Sequence, residues 1–158
     1  MSPTIAYRHE SATVEEIVEH LVRCDDDFVP PLGGRVELRA YAEKIAQLAN
    51  RFEAWLDGRL VGLVAAYCDA AEGGTAFITS VSVDQEVRGT GVAARLLAMC
   101  VERAVQEGLQ RIELVVDSDN GAALRLYTRC GFVARASKDG GVVMRLDEGE
   151  FSGSGQRA

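Results

Sequence analysis

"VSVDQEVRGTGVAARLL", Val81–Leu97, runs from an apolar strand pattern through two glycines and an arginine into an apolar helix pattern. Glycine at 89 and 91 lets the backbone approach a ligand closely, and the helix that follows opens with unsatisfied N–H groups and a partial positive charge. With Arg88 able to add a charge-assisted contact, the segment suits a phosphate or pyrophosphate. The bland reading is a glycine-rich turn that only joins strand to helix. Two nucleotide-binding schemes fit poorly. A Walker loop needs G-K-[S/T] after its second glycine, where this chain has "GVA". "GTGVAA" satisfies the dinucleotide pattern G-x-G-x-x-A on paper, but "DQEVR" separates it from the strand. The acid ending the next strand, Asp117, also stands beyond the ~20-residue spacing that a ribose contact needs.

Outward from this segment the chain divides without internal repeat or linker. "IAYRH" reads as a short first strand, and "SATVEEIVEHLVRC" as a helix with Val14, Ile17, Val18, Leu21 and Val22 at helical spacing. Thr13 and Glu16 form a capping box at its start. "DDDFVPPLGGR" breaks the helix, and a second helix follows with Leu38, Tyr41, Ala42, Ile45, Leu48 and Ala49 on one face. "RFEAWL" and "RLVGLVAAYC" flank Asp57-Gly58, a tight-turn dipeptide, and so read as a hairpin. "AFITSVSV" suits a central strand. Gly91 to Gly108 is the strongest helix, with Val92, Leu96, Leu97, Cys100, Ala104 and Val105 turned inward. "RIELVVD" is a strand, "NGAALRLYTRCG" a short helix and "FVARASKDGGVVMRL" a closing hairpin. The expected fold is α/β (α+β): one domain over 1–146 with a mixed, mostly antiparallel sheet of about seven strands flanked by about four helices. Residues 147–158, rich in Gly and Ser, are expected to be a disordered tail.

The bulk numbers narrow the function classes. A chain of 158 residues with 47% apolar and 26% charged residues fits one soluble globular domain. Its net charge of −7 argues against a nucleic-acid partner and mildly favours a cationic one. "MSPTIAYRHE" has no basic region followed by an apolar run, and no apolar run approaches the ~18 residues of a membrane span. A cytoplasmic protein with no membrane partner is therefore expected. Cys24, Cys68, Cys100 and Cys130 form no CxxC pair and sit in apolar contexts, as reduced thiols would. His9 and His20 show no ligand-spaced partner, so no metal is expected.

"RGTGVA", Arg88 to Ala93, matches Q/R-x-x-G-x-G/A and resembles the acetyl-coenzyme A loop of the GNAT acyltransferase superfamily. In "NGAALRLYTRCGF", Asn120, Ala123, Leu126, Tyr127, Gly131 and Phe132 stand where that family shows N-x-x-A-x-x-L-Y-x-x-x-G-F. The element order is similar to the family fold from residue 5 to about residue 146. The resemblance implies that the strand before the glycine loop splays from the next strand and holds the pantetheine arm of acetyl-CoA. The backbone of Val81, Ser82 and Val83 would then pair with that arm, and Arg88, Gly89, Thr90, Gly91, Val92 and Ala93 would wrap the pyrophosphate. Asn120 would hydrogen-bond the cofactor or a structural water. Tyr127, about two helical turns from Asn120, would be the general acid, since a phenol of pKa ~10 can serve a thiolate whose thiol is near ~8.5.

The implied activity is N-acetyl transfer to a primary amine of a small molecule or peptide by direct attack in a ternary complex. Many relatives carry a glutamate on the strand before the asparagine, but this chain has Val115 there. Glu113, two residues earlier on the same strand face, is the tentative base, with a solvated or structural carboxylate as its alternative. Tentative acceptor-site residues are Phe28, Tyr41, Tyr67 and Ser80, with Thr79 nearby; Asp25, Asp26 and Asp27 are either a cation-greeting loop or a solvated charge run. Asp84 is expected to cap the loop, and Trp55 to sit in core or interface. A homodimer is also compatible. Two other readings stand beside the enzyme: an acyl-CoA-binding sensor or interaction module that lost its base, and an NAD-dependent oxidoreductase built on "GTGVAA".

Overall fold

A computed structural model describes residues 4–24, 35–69, 74–149 and 151. Its elements follow the predicted order: β1 (Ala6–His9), α1 (Val14–Cys24), α2 (Arg35–Leu48), β2 (Asn50–Leu56), β3 (Arg59–Asp69), β4 (Thr75–Val83), α3 (Val92–Gln106), β5 (Arg111–Asp117), α4 (Gly121–Arg129), β6 (Val133–Lys138) and β7 (Gly141–Asp147). The seven strands form one sheet in the order β1-β2-β3-β4-β5-β7-β6. Only the β4–β5 pair is parallel; the other five pairs are antiparallel. That single parallel step follows from the β4-α3-β5 crossover, which returns the chain to the same end of the sheet.

Local chemistry explains the elements. Thr13 Oγ1 accepts from the Glu16 amide at 3.1 Å and Glu16 Oε1 accepts from the Thr13 amide at 2.9 Å, which is the capping box of α1. Asp57 and Gly58 turn β2 into β3 with φ of +51° and +77°, as a primed hairpin turn requires. Both faces of the central strands are covered. One core joins α3 to Phe52, Val64, Ile78, Ile112 and Leu114, and a second joins α1 and α2 to Trp55, Leu60, Leu63 and Ala65. Trp55 is thus a core residue, shielded by β1 on the strand side. Not every apolar residue at helical spacing is buried: Leu48 is 61% exposed at the end of α2, and Val105 also lies open.

A buried carboxylate ties the amino-terminal segment to the sheet. Glu53, fully buried in β2, accepts from the Ser11 hydroxyl (2.7 Å), the Ser11 and Ala12 amides (3.1 Å each), Arg51 Nε and Trp55 Nε1 (3.2 Å each). Five donors compensate the desolvation of one charge. At the carboxyl end, Asp147 completes β7 and Phe151 is buried in the larger core, so these two positions are ordered where a loose tail was expected. Residues 152–158 lie outside the described residues. No helix among the described residues is long and apolar enough to cross a membrane.

Gly62 sets how closely α3 approaches β3. A Cβ there would meet Val92 Cγ1 at 3.0 Å, Ala54 Cβ at 3.1 Å and Leu96 Cδ1 at 3.1 Å. Gly62→Val should therefore overpack this contact and lower the unfolding free energy by about 1–3 kcal/mol, read as a lower denaturation midpoint at unchanged slope.

Candidate active site

The β4–β5 ladder stops at the Ile78–Leu114 pair, although β4 runs on to Val83 and β5 to Asp117. A register shift marks the same place on the other edge of β4: Ala65 pairs with Ser80 and Ala66 with Ile78, which leaves Thr79 as an extra residue. Such a bulge bends and twists its strand. The Tyr41 hydroxyl of α2 donates to the Thr79 carbonyl at 2.6 Å and so holds the bulged backbone.

Two adjoining cavities of about 210 and 270 Å³ occupy the opening and share Val83, Arg88, Ala93 and Leu126. The first is walled by Val81 and Ser82 of β4, Cys24 at the end of α1, and Ala122, Ala123 and Tyr127 of α4. The second runs over Gly89, Gly91 and the first turn of α3. Gly89 and Gly91 take φ of +77° and +85°, and Gly91 caps α3 without any side-chain bond. The first helical turn thus offers its amides and the positive end of the helix dipole on the cavity's edge. A short helical turn, Gln85–Val87, separates β4 from Arg88, so the glycines do not come straight off the strand as a dinucleotide fingerprint requires. Thr90 lines neither cavity, and its hydroxyl donates to the Val87 carbonyl within the turn.

Tyr127 is buried, and desolvation pushes its phenol up to about 12. It therefore stays protonated across any working pH. Asn120 is the N-cap of α4: its Oδ1 accepts from the Ala123 amide at 3.1 Å, and it lines neither cavity. That cap aims α4, and with it Tyr127, at the opening.

Three of the tentative acceptor residues, Tyr41, Tyr67 and Ser80, lie on the α1–α2 face. Tyr41 and Tyr67 pack against the second core, and Ser80 is buried on β4 opposite Ala65. Among the described residues, the Tyr67 hydroxyl is buried without a hydrogen-bond partner, and the buried Ser80 hydroxyl lies beside that of Tyr41. Burial raises both phenols, Tyr67 further through Tyr41, and Lys44 Nζ lies 5.6 Å from the Tyr67 ring centroid. Phe28 and Asp25–Asp27 fall outside the described residues.

Two expectations change. Glu113 does not reach the opening: it lies below the divergence, paired in register with Phe77 and Arg145, and its carboxylate is 3.9 Å from the Arg145 guanidinium. Val115 is 50% exposed and supplies no proton acceptor. Asp84 makes no side-chain cap to its own turn. Its Oδ1 lies 2.8 Å from His20 Nδ1 and its Oδ2 accepts from Arg23 Nε at 3.0 Å. Burial alone would raise this carboxyl, but the hydrogen bonds from His20 and Arg23 and the guanidinium charge outweigh burial and hold it below the usual carboxylate range.

His20 is the residue that sequence reasoning missed. Completely buried, it reaches Ser82 Oγ with Nε2 at 2.8 Å, and Cys24 Sγ lies 3.8–3.9 Å from the ring. Its partners do include a ligand-type set, His20, Cys24 and Asp84. Within the set both ring nitrogens and both Asp84 oxygens have hydrogen-bond partners, so the three side chains form a connected network. The i,i+4 spacing of His20 and Cys24 and the i,i+2 spacing of Ser82 and Asp84 were visible signals; that the two pairs meet was not.

Comparison with known proteins agrees with this geometry. The chain matches the acetyltransferase (GNAT) family model over residues 14–132. It is 44% identical over 52 residues to a mycothiol acetyltransferase from Brachybacterium faecium, covering 33% of this chain and 16% of that protein. It is 32% identical over 73 residues to an L-2,4-diaminobutyric acid acetyltransferase from Halomonas elongata, covering 46% of this chain and 38% of that protein. The chain thus spans well under half of either relative. The fold resembles the crystal structure of PaiA N-acetyltransferase from Thermoplasma acidophilum in complex with coenzyme A, with a TM-score of 0.74 at 13% identity over 91% of this chain and 99% of that one. With the family model matched along most of its length and the divergent β4–β5 pair built as the motifs imply, the chain belongs to the GNAT acetyltransferase family.

Proposed function

We propose that this protein is an N-acetyltransferase that moves an acetyl group from acetyl-CoA to a primary amine of a small molecule or peptide, both bound at once. The observation that carries the reading is the groove along β4 beyond Ile78, where the strand edge has lost its β5 ladder and the glycine turn begins. Backbone amides and carbonyls left without a sheet partner need other partners, and the amide-bearing pantetheine arm supplies them. Val81, Ser82 and Val83 would hold that arm, while Arg88 and the amides from Gly89 to Ala93 would take the diphosphate. Asn120, its oxygen committed to the cap, would have Nδ2 for the cofactor or a water. When bound, acetyl-CoA supplies an activated thioester.

Tyr127 would present its hydroxyl to the sulfur end of the arm. A phenol at about 12 is a much weaker acid than a thiol near ~8.5, so its contribution is a permanent hydrogen-bond donor for a sulfur gaining negative charge. The Tyr67 hydroxyl, without a hydrogen-bond partner among the described residues, would orient the acceptor together with Ser80, with Tyr41 as a wall. The relatives named for mycothiol and L-2,4-diaminobutyric acid favour a small-molecule acceptor.

Acetyl-CoA and CoA should each raise the melting temperature while NAD leaves it unchanged; the reverse pattern would remove the acetyltransferase reading. Gly91→Ala forces a side chain into a left-handed cap, and should weaken CoA binding by about tenfold, measured by calorimetry. Tyr127→Phe should lower kcat for thiol release across a panel of amines by about 10²-fold with little change in the KM for acetyl-CoA. An unchanged kcat would show that the hydroxyl has no part in the reaction.

A further inference from the structure

A primary amine is protonated at neutral pH, with a pKa near ~10.4, and must lose a proton before it can attack. Glu113 is held toward Arg145, and the position where relatives carry a glutamate is Val115. Three residues in a chain of hydrogen bonds fill this need. We propose that Ser82, His20 and Asp84 form a proton relay in which Ser82 takes the proton from the acceptor amine and passes its own to His20. The proposal rests on the acetyl-transfer reading above.

The geometry has a direction. Asp84 Oδ1 lies 2.8 Å from His20 Nδ1, and His20 Nε2 lies 2.8 Å from Ser82 Oγ. An ionised carboxylate only accepts, so Nδ1 carries the hydrogen. In the neutral ring Nε2 is then an acceptor, and the Ser82 hydroxyl must donate to it. Arg23 fixes the carboxylate from behind, with Nε on Asp84 Oδ2 at 3.0 Å and a terminal nitrogen donating to the Leu60 carbonyl at 2.8 Å. Ser82 lines the same cavity as Tyr127, so the relay opens where the sulfur donor also sits. His20 itself has no access to solvent and can exchange protons with a ligand only through a neighbour.

The proton transfer balances. One N–H bond of the acceptor ammonium breaks and its electron pair stays on nitrogen, which becomes the nucleophile. The proton forms a new O–H bond on Ser82 as the original one breaks, and that second proton forms Nε2–H on His20. One positive charge moves from the substrate to the imidazolium, where Asp84 balances it. The ring discharges to water by the reverse path once the site empties. The other titratable or charged groups of the cluster are Cys24 and Arg23 on α1; on α2 the Tyr41 hydroxyl is bonded to Thr79, and β3 meets α1 through the apolar Leu60 and Leu63. Ser82 and Asp84 are positions two apart on one face of the chain leaving β4, which is why a single histidine spans them.

Two measurements test the relay. Long-range nitrogen–proton NMR needs no acceptor: at neutral pH the His20 signals should show the Nδ1–H tautomer, and Asp84→Asn should abolish that preference. An Nε2–H tautomer in the unsubstituted protein would overturn the relay whatever the enzyme acetylates. The second is kcat/KM against pH with acetyl-CoA and a panel of L-2,4-diaminobutyrate, spermidine and glucosamine. Ser82→Ala should lose about 10²-fold in kcat and alter the shape of the pH profile, while Ser82→Thr, which keeps the hydroxyl, should restore both. Should Ser82→Ala bind CoA normally and turn over with the unsubstituted pH profile, the relay is wrong and the acetyltransferase reading survives. Failure of the unsubstituted protein to bind CoA would end both.

Discussion

One extra residue in β4 organises this molecule. Thr79 is accommodated opposite β3 as a bulge, and the β4–β5 ladder ends at the residue before it, after only four paired positions. A parallel pair that kept its register to Val83 would leave no edge for a ligand and no room between the strand and α4. Tyr41 bonds the bulge's carbonyl, so a backbone group freed by the irregularity is satisfied within the protein. The opening is thus a built feature, held from the α2 side.

The helices on the two faces then divide the chemistry. α3, lowered onto β3 by Gly62, brings a helix start and its glycine turn to one end of the groove. α4, capped by Asn120, brings Tyr127 to the other. α1 packs on the opposite face with Ile17, Val18 and Leu21, and the same face carries His20 and Cys24 to Ser82 and Asp84. A polar cluster inside an apolar contact is costly unless each member is bonded. Here Asp84 is served by His20 and Arg23, and His20 by Asp84 and Ser82. Two members of this network, Ser82 and Cys24, stand at the groove wall.

Buried charge elsewhere has a different use. Glu53 gathers five donors and lines neither of the two cavities; its role is to lock the segment before α1 onto β2. The contrast separates a structural carboxylate from one placed beside a ligand groove. Both lie in the interior, both are well bonded, and only position relative to the opening tells them apart.

Local pattern was enough for the element order, the capping box at Thr13, the Asp57-Gly58 hairpin and the glycine turn before α3, because each depends on residues within a few positions of one another. The resemblance to the GNAT superfamily, carried by the two motifs, is what brought Val81, Arg88, Gly91 and Tyr127 into one reading. What local pattern left open depended on contacts far apart in the chain. Glu113 and Val115 share a strand face, but where β5 leaves β4 is set by a bulge formed against β3. His20 and Ser82 are 62 positions apart and meet only because α1 docks across β4. Spacing along the chain reports which residues share a face; which faces meet is decided by packing.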